Sequence, residues 1–289
     1  MAVLKSLRTA LHLIREQPIL FVPMGIFALF QIPQLFFQSV DPVLSIVASL
    51  LFTGVFIFLT PMFYAGAIGM ANDAAKGPKT SLSRFWAHVK NSYLSVLGAY
   101  LLITAVTFGF GIAISIAVFI AVVTVGLSGE LFVTMAVAGF VLLFVLAFFV
   151  ALFAVHFYAH AIVVEGKRAV DGLTRSIDVV RHNLKPVAGY GVLSLAFGAV
   201  MGGLYGLVTL AAFPSSPAPG EPAPTPELLP ALGGSVGVVI VTALFATFFA
   251  VFSVVFYREL IGATDRAIEK DDVAETAVKA GSNDSSLVE

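Results

Sequence analysis

KTSLSRFWAHVKNSYLSVLGAYLLITAVTFGFGIAISIAVFIAVVTVGLSGELF, residues 79–132, decides how this chain folds. It opens with Lys79, Arg84 and Lys90 and then carries no charged side chain until Glu130. The apolar part, 93–126, exceeds the roughly 20 residues that a helix needs to cross a bilayer core. Basic at one end, uncharged along its length and closed by a turn without Lys or Arg, the segment reads as a helix that leaves the cytoplasm and ends on the far side.

The rest of the chain repeats that arrangement. Its sixteen Lys and Arg fall in four clusters: Lys5, Arg8 and Arg15; Lys76, Lys79, Arg84 and Lys90; Lys167, Arg168, Arg175, Arg181 and Lys185; Arg258, Arg266, Lys270 and Lys279. The turn near Asp41, the turn at 126–130 and the loop at 213–233 hold none, and so are expected outside. The expected fold is an all-α polytopic membrane protein with six transmembrane helices, at about 19–38, 43–70, 93–126, 131–163, 187–212 and 234–260. These pair as three hairpins with both termini cytoplasmic, in the cell membrane. Several spans are longer than the bilayer core and must tilt, kink or project, with Pro33 and Pro61 as the expected kink points.

Composition agrees. Hydrophobic residues make up 59% of the chain and charged ones 11%, where a soluble domain carries about a quarter charged. Mean hydropathy is +0.99. With six spans removed, the loops are too short for a soluble domain with its own core, which excludes a soluble catalytic barrel or nucleotide-binding sheet. The membrane domain is expected over 1–262, with a Pro-rich exterior loop at 213–233 and a polar tail at 263–289, partly disordered, in which 267–279 could continue as helix. The 19–38 stretch lacks a small-residue cleavage signature and reads as a retained span. Asp41, Glu130, Glu221 and Glu227 fall outside, leaving the inner face slightly basic, enough to attract anionic headgroups and too dilute for nucleic acid. The chain has no cysteine, hence no disulfide or thiolate metal site.

A threefold internal repeat is visible by eye: an amphipathic helix, a span out, a turn, a span back. Each returning span ends in the same dipeptide, Phe63-Tyr64, Phe157-Tyr158 and Phe256-Tyr257, placed where an aromatic ring with a polar tip prefers the membrane boundary. The three cytoplasmic helices, about 2–16, 81–91 and 168–183, have the period of helices lying in the interface. In the first, Leu4, Leu7, Leu11 and Ile14 form one stripe and Lys5, Arg8, His12 and Arg15 another. The second groups Leu82, Phe85, Trp86 and Val89. The third sets Val170, Leu173, Ile177 and Val180 against Asp171, Arg175, Asp178 and Arg181, charges that can pair along the helix. Holding each hairpin at its depth is the plainer role; headgroup contact by Arg8, Arg15, Arg84, Lys90, Arg175 and Arg181 is the sharper one.

No Asp, Glu, Lys or Arg is expected at membrane depth, which counts against proton-driven or charge-moving transport. Gln31, Gln34 and Gln38 fall on one helix face around Pro33, either lining a polar cavity or bonding between helices. His156 and His160 stand one turn apart, a spacing open to metal sharing but with too few ligands nearby, so hydrogen-bonded imidazoles are expected. Gly198, Gly202 and Gly206 give a smooth face for close helix packing, within the monomer or in a homodimer. Walker, GxSxG, HExxH and complete GxGxxG motifs are all missing.

The run AIVVEGKRAVDGLTRSIDVVRHN, 161–183, resembles the segment after the fourth span in a broad family of six-span membrane proteins. That family includes the membrane domain fused to some glycerophosphoryl diester phosphodiesterases. QPILFVPMGIFALFQIPQLFFQSVDP and IGMANDAAKGPKTSLSRF, at 17–42 and 68–85, look like uncharacterised haloarchaeal relatives. The resemblance spans about 1–262 and its motifs are structural. The phosphodiesterase barrel is not present, so no catalysis carries over; in a halophile, molar salt would also screen the headgroup attraction.

The expected function is therefore that of a non-enzymatic membrane protein without cofactor, which binds or organises lipid or scaffolds a membrane or cytoplasmic partner. A permease for a small neutral or amphiphilic solute is the alternative. The topology makes a direct prediction: in intact cells, an impermeant amine reagent leaves Lys76, Lys79 and Lys167 unlabelled, and labelling of any of them overturns the map.

Overall fold

The computed structural model describes residues 2–33, 42–77, 79–128, 130–212 and 228–284. It is all-helical, at 93% helix with no strand among the described residues. The α-helices are α1 Ala2–Glu16, α2 Phe21–Leu29, α3 Pro42–Ala75, α4 Leu82–Ser128, α5 Leu131–Ala154, α6 Tyr158–Glu165, α7 Ala169–His182, α8 Leu184–Ala212 and α9 Leu228–Asp284. A 3-10 turn, Pro18–Leu20, joins α1 to α2. Five stretches are apolar and long enough to cross a membrane: Ile46–Ala75, Leu82–Gly126, Phe132–Glu165, Leu184–Val208 and Val236–Asp265.

The first expected span, 19–38, is not one continuous helix. Its described part is the shorter apolar stretch Pro18–Leu29, and the Gln31 amide bonds back to Ala28 at 3.1 Å in the tight 3-10 manner. Pro33 has no N–H to bond the carbonyl of Leu29, so α2 ends one turn before it. Residues 34–41 lie outside the described residues. Pro61, by contrast, sits inside an uninterrupted α3. The second amphipathic helix is not a separate element either, since α4 runs unbroken for 47 residues from Leu82. At 1.5 Å per residue that is about 70 Å, more than twice a bilayer core of about 30 Å.

The expected span 131–163 breaks where neither proline nor glycine marks it. Between α5 and α6 the amides of His156 and Tyr158 bond back three residues, to Phe153 and Val155. Ser176 of α7 inserts here: its hydroxyl donates to the Ala154 carbonyl at 2.9 Å and accepts from the Phe157 amide at 3.0 Å. One side chain thereby satisfies both groups freed by the break.

Burial is concentrated at the basic end. The most apolar stretches of Leu82–Gly126, Phe132–Glu165 and Leu184–Val208 contain no buried residue, whereas 44% of the corresponding stretch of α9 is buried. Phe108, Phe119, Phe132 and Leu142 are all exposed, an apolar surface of the kind that faces lipid or another protein. The core gathers around α9, where Phe252, Phe256 and Tyr257 stack with Phe157 and Tyr190.

The threefold pattern recurs in this core. Ala10, Ile14 and Met24 are buried at the same spacing as Phe85, Val89 and Ala99, and as Ser176, Val180 and Tyr190. On the returning helices Phe63, Phe157 and Phe256 are buried too. Each amphipathic segment packs on the end of a returning helix: the start of α4 on α3, α7 on α6, and α1 on α9. The chain's first helix thus closes against its last.

Ser176→Ala would leave the Phe157 amide and the Ala154 carbonyl without a partner in a buried site, at a cost of about 1–3 kcal/mol each way the helix resolves it. The expected result is a lower melting temperature in detergent, with Ser176→Thr milder than Ser176→Ala.

Candidate functional site

Polar side-chain contacts tie every amphipathic segment to the helix it packs on. Lys5 Nζ lies 2.6 Å from Glu259 Oε1 (α1 to α9), and His88 Nε2 lies 2.9 Å from Asp73 Oδ2 (α4 to α3). Arg175 of α7 reaches Glu165 of α6 through Nε at 2.9 Å and Asp265 of α9 through Nη2 at 2.7 Å. Exposed pairs such as Lys5–Glu259 contribute little. The Arg175 fork is different, since its side chain and that of Glu165 are both largely covered. Burial works to lower the guanidinium pKa, and the two carboxylates outweigh it, holding Arg175 above its ordinary value. The Tyr257 hydroxyl also donates to Glu165. Beside this hub, Asn183 Nδ2 donates to the Val179 carbonyl at 2.9 Å and to Thr264 Oγ1 at 2.7 Å.

The amphipathic helices have three sectors where two were expected. The stripe of large apolar residues is divided: Leu4 and Leu11 of α1 and Val170 and Ile177 of α7 are exposed, while Ile14 and Val180 are buried and Leu7 and Leu173 pack partly against the core. The buried sector mixes apolar and small residues: Ser6, Ala10, Leu13 and Ile14 in α1 and Gly172, Ser176, Val179 and Val180 in α7. Small side chains let the backbones approach; a Cβ at Gly172 would strike Ile162. In α4 Phe85 and Val89 turn inward while Leu82 and Trp86 stay exposed, and Gly66 of α3 makes room for the Phe85 ring. The third sector is basic. Arg8, Arg15, Arg84, Lys90 and Arg181 are exposed and have no ion-pair partner among the described residues. Arg175 departs from expectation: it is an internal tie and does not present its charge outward.

The other candidate residues are not brought together. Gln31 is half-buried, and Gln34 and Gln38 lie outside the described residues. Gly198, Gly202 and Gly206 face open space, with nothing within 4 Å of a Cβ built at any of them, so intramolecular packing does not explain the stripe among the described residues. His156 Nε2 is 3.3 Å from the Tyr190 hydroxyl and His160 Nε2 is 2.9 Å from Ser253 Oγ, two separate partners. No cluster of three or more metal-ligating side chains occurs among the described residues.

Charge-free spans also need correction. The middle of each apolar helix is uncharged, but Asp73, Glu165, Arg258, Glu259 and Asp265 occupy the last turns of the stretches long enough to cross a membrane. The expected boundaries fall before Asp73, Glu165 and Asp265, and the expected span 234–260 includes Arg258 and Glu259 although no charge is expected within it, so sequence reading misses the hub. The signal was present: each Phe-Tyr pair is followed within about three turns by an acidic residue, Asp73, Glu165 or Asp265.

Five membrane-length apolar helices with polar ties gathered at one end define a multipass membrane protein. The chain belongs to the DUF7847 family, a domain of unknown function, whose model matches residues 1–260. No curated protein and no solved structure matches it.

Arg175→Met would leave Glu165 covered and without its cation. The expected loss is about 1–3 kcal/mol, reduced from the fully buried case because Asp265 is solvated. Arg175→Met combined with Glu165→Gln should recover part of it, measured as melting temperatures around a double-mutant cycle.

Proposed function

We propose that this protein is a non-enzymatic module of the cell membrane which binds and organises lipid at the cytoplasmic surface through α1, the start of α4, and α7. The observation that carries the reading is the outward face these segments share. On α1, Leu4, Arg8, Leu11 and Arg15 follow one another at helical spacing, all exposed. Val170, Ile177 and Arg181 take the matching positions on α7, and Leu82, Trp86, Arg84 and Lys90 surround the start of α4. Large apolar side chains beside unpaired cations suit the acyl–headgroup boundary, where the apolar part enters lipid and the charge reaches phosphate.

In this reading 19–38 completes a sixth span, the spans form three hairpins, and both termini are cytoplasmic, as the placement of Lys and Arg favours. The internal ties hold the three helices at a common depth and leave their basic sectors for headgroups. The resemblance to the membrane domain fused to phosphodiesterases supports a module that recruits or positions and does not catalyse.

Trp86 is the only tryptophan in the chain and is exposed on α4, so it reports depth directly. Its fluorescence should be quenched more by lipids brominated near the headgroup than by lipids brominated at the chain ends. Replacing Arg84 and Arg181 by Glu should weaken retention of anionic lipid by roughly tenfold or more, given about 1 kcal/mol per surface cation. Unchanged quenching depth profiles in detergent and liposomes, or unchanged lipid retention, would reject the proposal.

A further inference from the structure

Between α1, α3 and α9 lies a crevice of about 330 Å³, lined by Thr9, Ala75, Val255, Arg258, Glu259 and Gly262. Its charge is not balanced. Glu259 on the wall is paired with Lys5 at 2.6 Å, so these two cancel. Arg258 is half-buried, donates through Nη1 to Asn72 Oδ1 at 2.7 Å, and has no carboxylate partner among the described residues. A neutral amide can orient a guanidinium but cannot neutralise it, and a covered cation normally has a counter-charge.

The internal repeat shows that the fold does not require a charge here. Arg258 follows Phe256-Tyr257, and the residues that follow the other two Phe-Tyr pairs are Ala65 and Ala159, both buried. The opening itself is a departure of the same kind. Where α4 meets α3, the His88 ring lies against Gly69; Gly262 takes the matching place after Phe256-Tyr257 on α9, and a Cβ there would meet nothing within 4 Å. One of three related interfaces thus leaves an open crevice where α4 on α3 packs an imidazole over glycine, and sets an arginine where the other two bury an alanine.

We infer that this crevice binds a phosphate group, held by the free N–H groups of the Arg258 guanidinium, with Thr9 also in its lining. Arginine presents a planar fork suited to phosphate oxygens, and Asn72 fixes its orientation before the ligand arrives. The phosphate comes either from a lipid headgroup, since the crevice lies at the basic end of the apolar helices, or from the aqueous phase. The site is distinct from the outward faces of α1, α4 and α7 and does not depend on their function.

The test is calorimetric titration of the full chain, in a zwitterionic detergent, with inorganic phosphate and separately with dihexanoylphosphatidylglycerol. Arg258→Ala restores the residue found in the two sister positions, and Arg258→Gln keeps an N–H for Asn72; melting temperatures establish that each is folded. Binding of either probe, weakened roughly tenfold or more in both variants and unchanged by Arg84→Glu with Arg181→Glu, is the expected result. Binding of the phospholipid alone assigns a lipid headgroup, and binding of inorganic phosphate assigns a soluble source. No binding of either probe by the unaltered chain, or equal affinity in the Arg258 variants, overturns the inference.

Discussion

In hydrocarbon there is no hydrophobic force to draw Phe108, Phe119 or Leu142 away from their surroundings, because lipid is as apolar as they are. Helices in that medium associate through close packing and polar contacts, and in this protein both are supplied at one end. There Gly66, Gly172, Ser6 and Ala10 let backbones come together, and Arg175, Glu165, Asp265 and Asn183 fix which helix meets which. The outer halves of α4, α5 and α8 follow as long apolar extensions of a core that lies at their basic ends.

Helix α9 is the hub because three kinds of contact converge on it. Phe252, Phe256 and Tyr257 stack with Phe157 and Tyr190 of the neighbouring helices. Its Glu259 and Asp265 reach the first amphipathic helix and the last one, and Ser253 meets His160. Closing α1 on α9 makes the pairing of amphipathic segment with returning helix cyclic, so the interface that joins the two ends of the membrane domain repeats what α4 does on α3 and α7 does on α6.

Related interfaces that are not identical give an internal standard. Where three copies share a feature, as with buried Phe63, Phe157 and Phe256, the fold requires it. Where one copy departs, the difference is free to serve something else. Ser176 bridging a broken helix belongs to the second interface alone, and Arg258 above an open crevice belongs to the third.

The sequence by itself determined the solvent of each segment. Long uncharged runs, basic clusters on alternate connections and the 3.6-residue period of α1 and α7 are one-dimensional signals, because hydration of charge is a property of each side chain alone. It also carried the threefold repeat, through three Phe-Tyr pairs. Tertiary structure decided which face of each amphipathic helix is covered. The apolar stripes are divided: Ile14 and Val180 are covered and Leu4, Leu11, Val170 and Ile177 are not, since lipid is available to them as a second apolar medium, while Ser6, Ala10, Gly172 and Ser176 on the covered face permit close approach. The roles of Arg175 and Arg258 were likewise invisible in the chain, since an arginine that ties helices and one without a counter-charge differ only in what lies across from them, on helices up to 186 positions away in sequence.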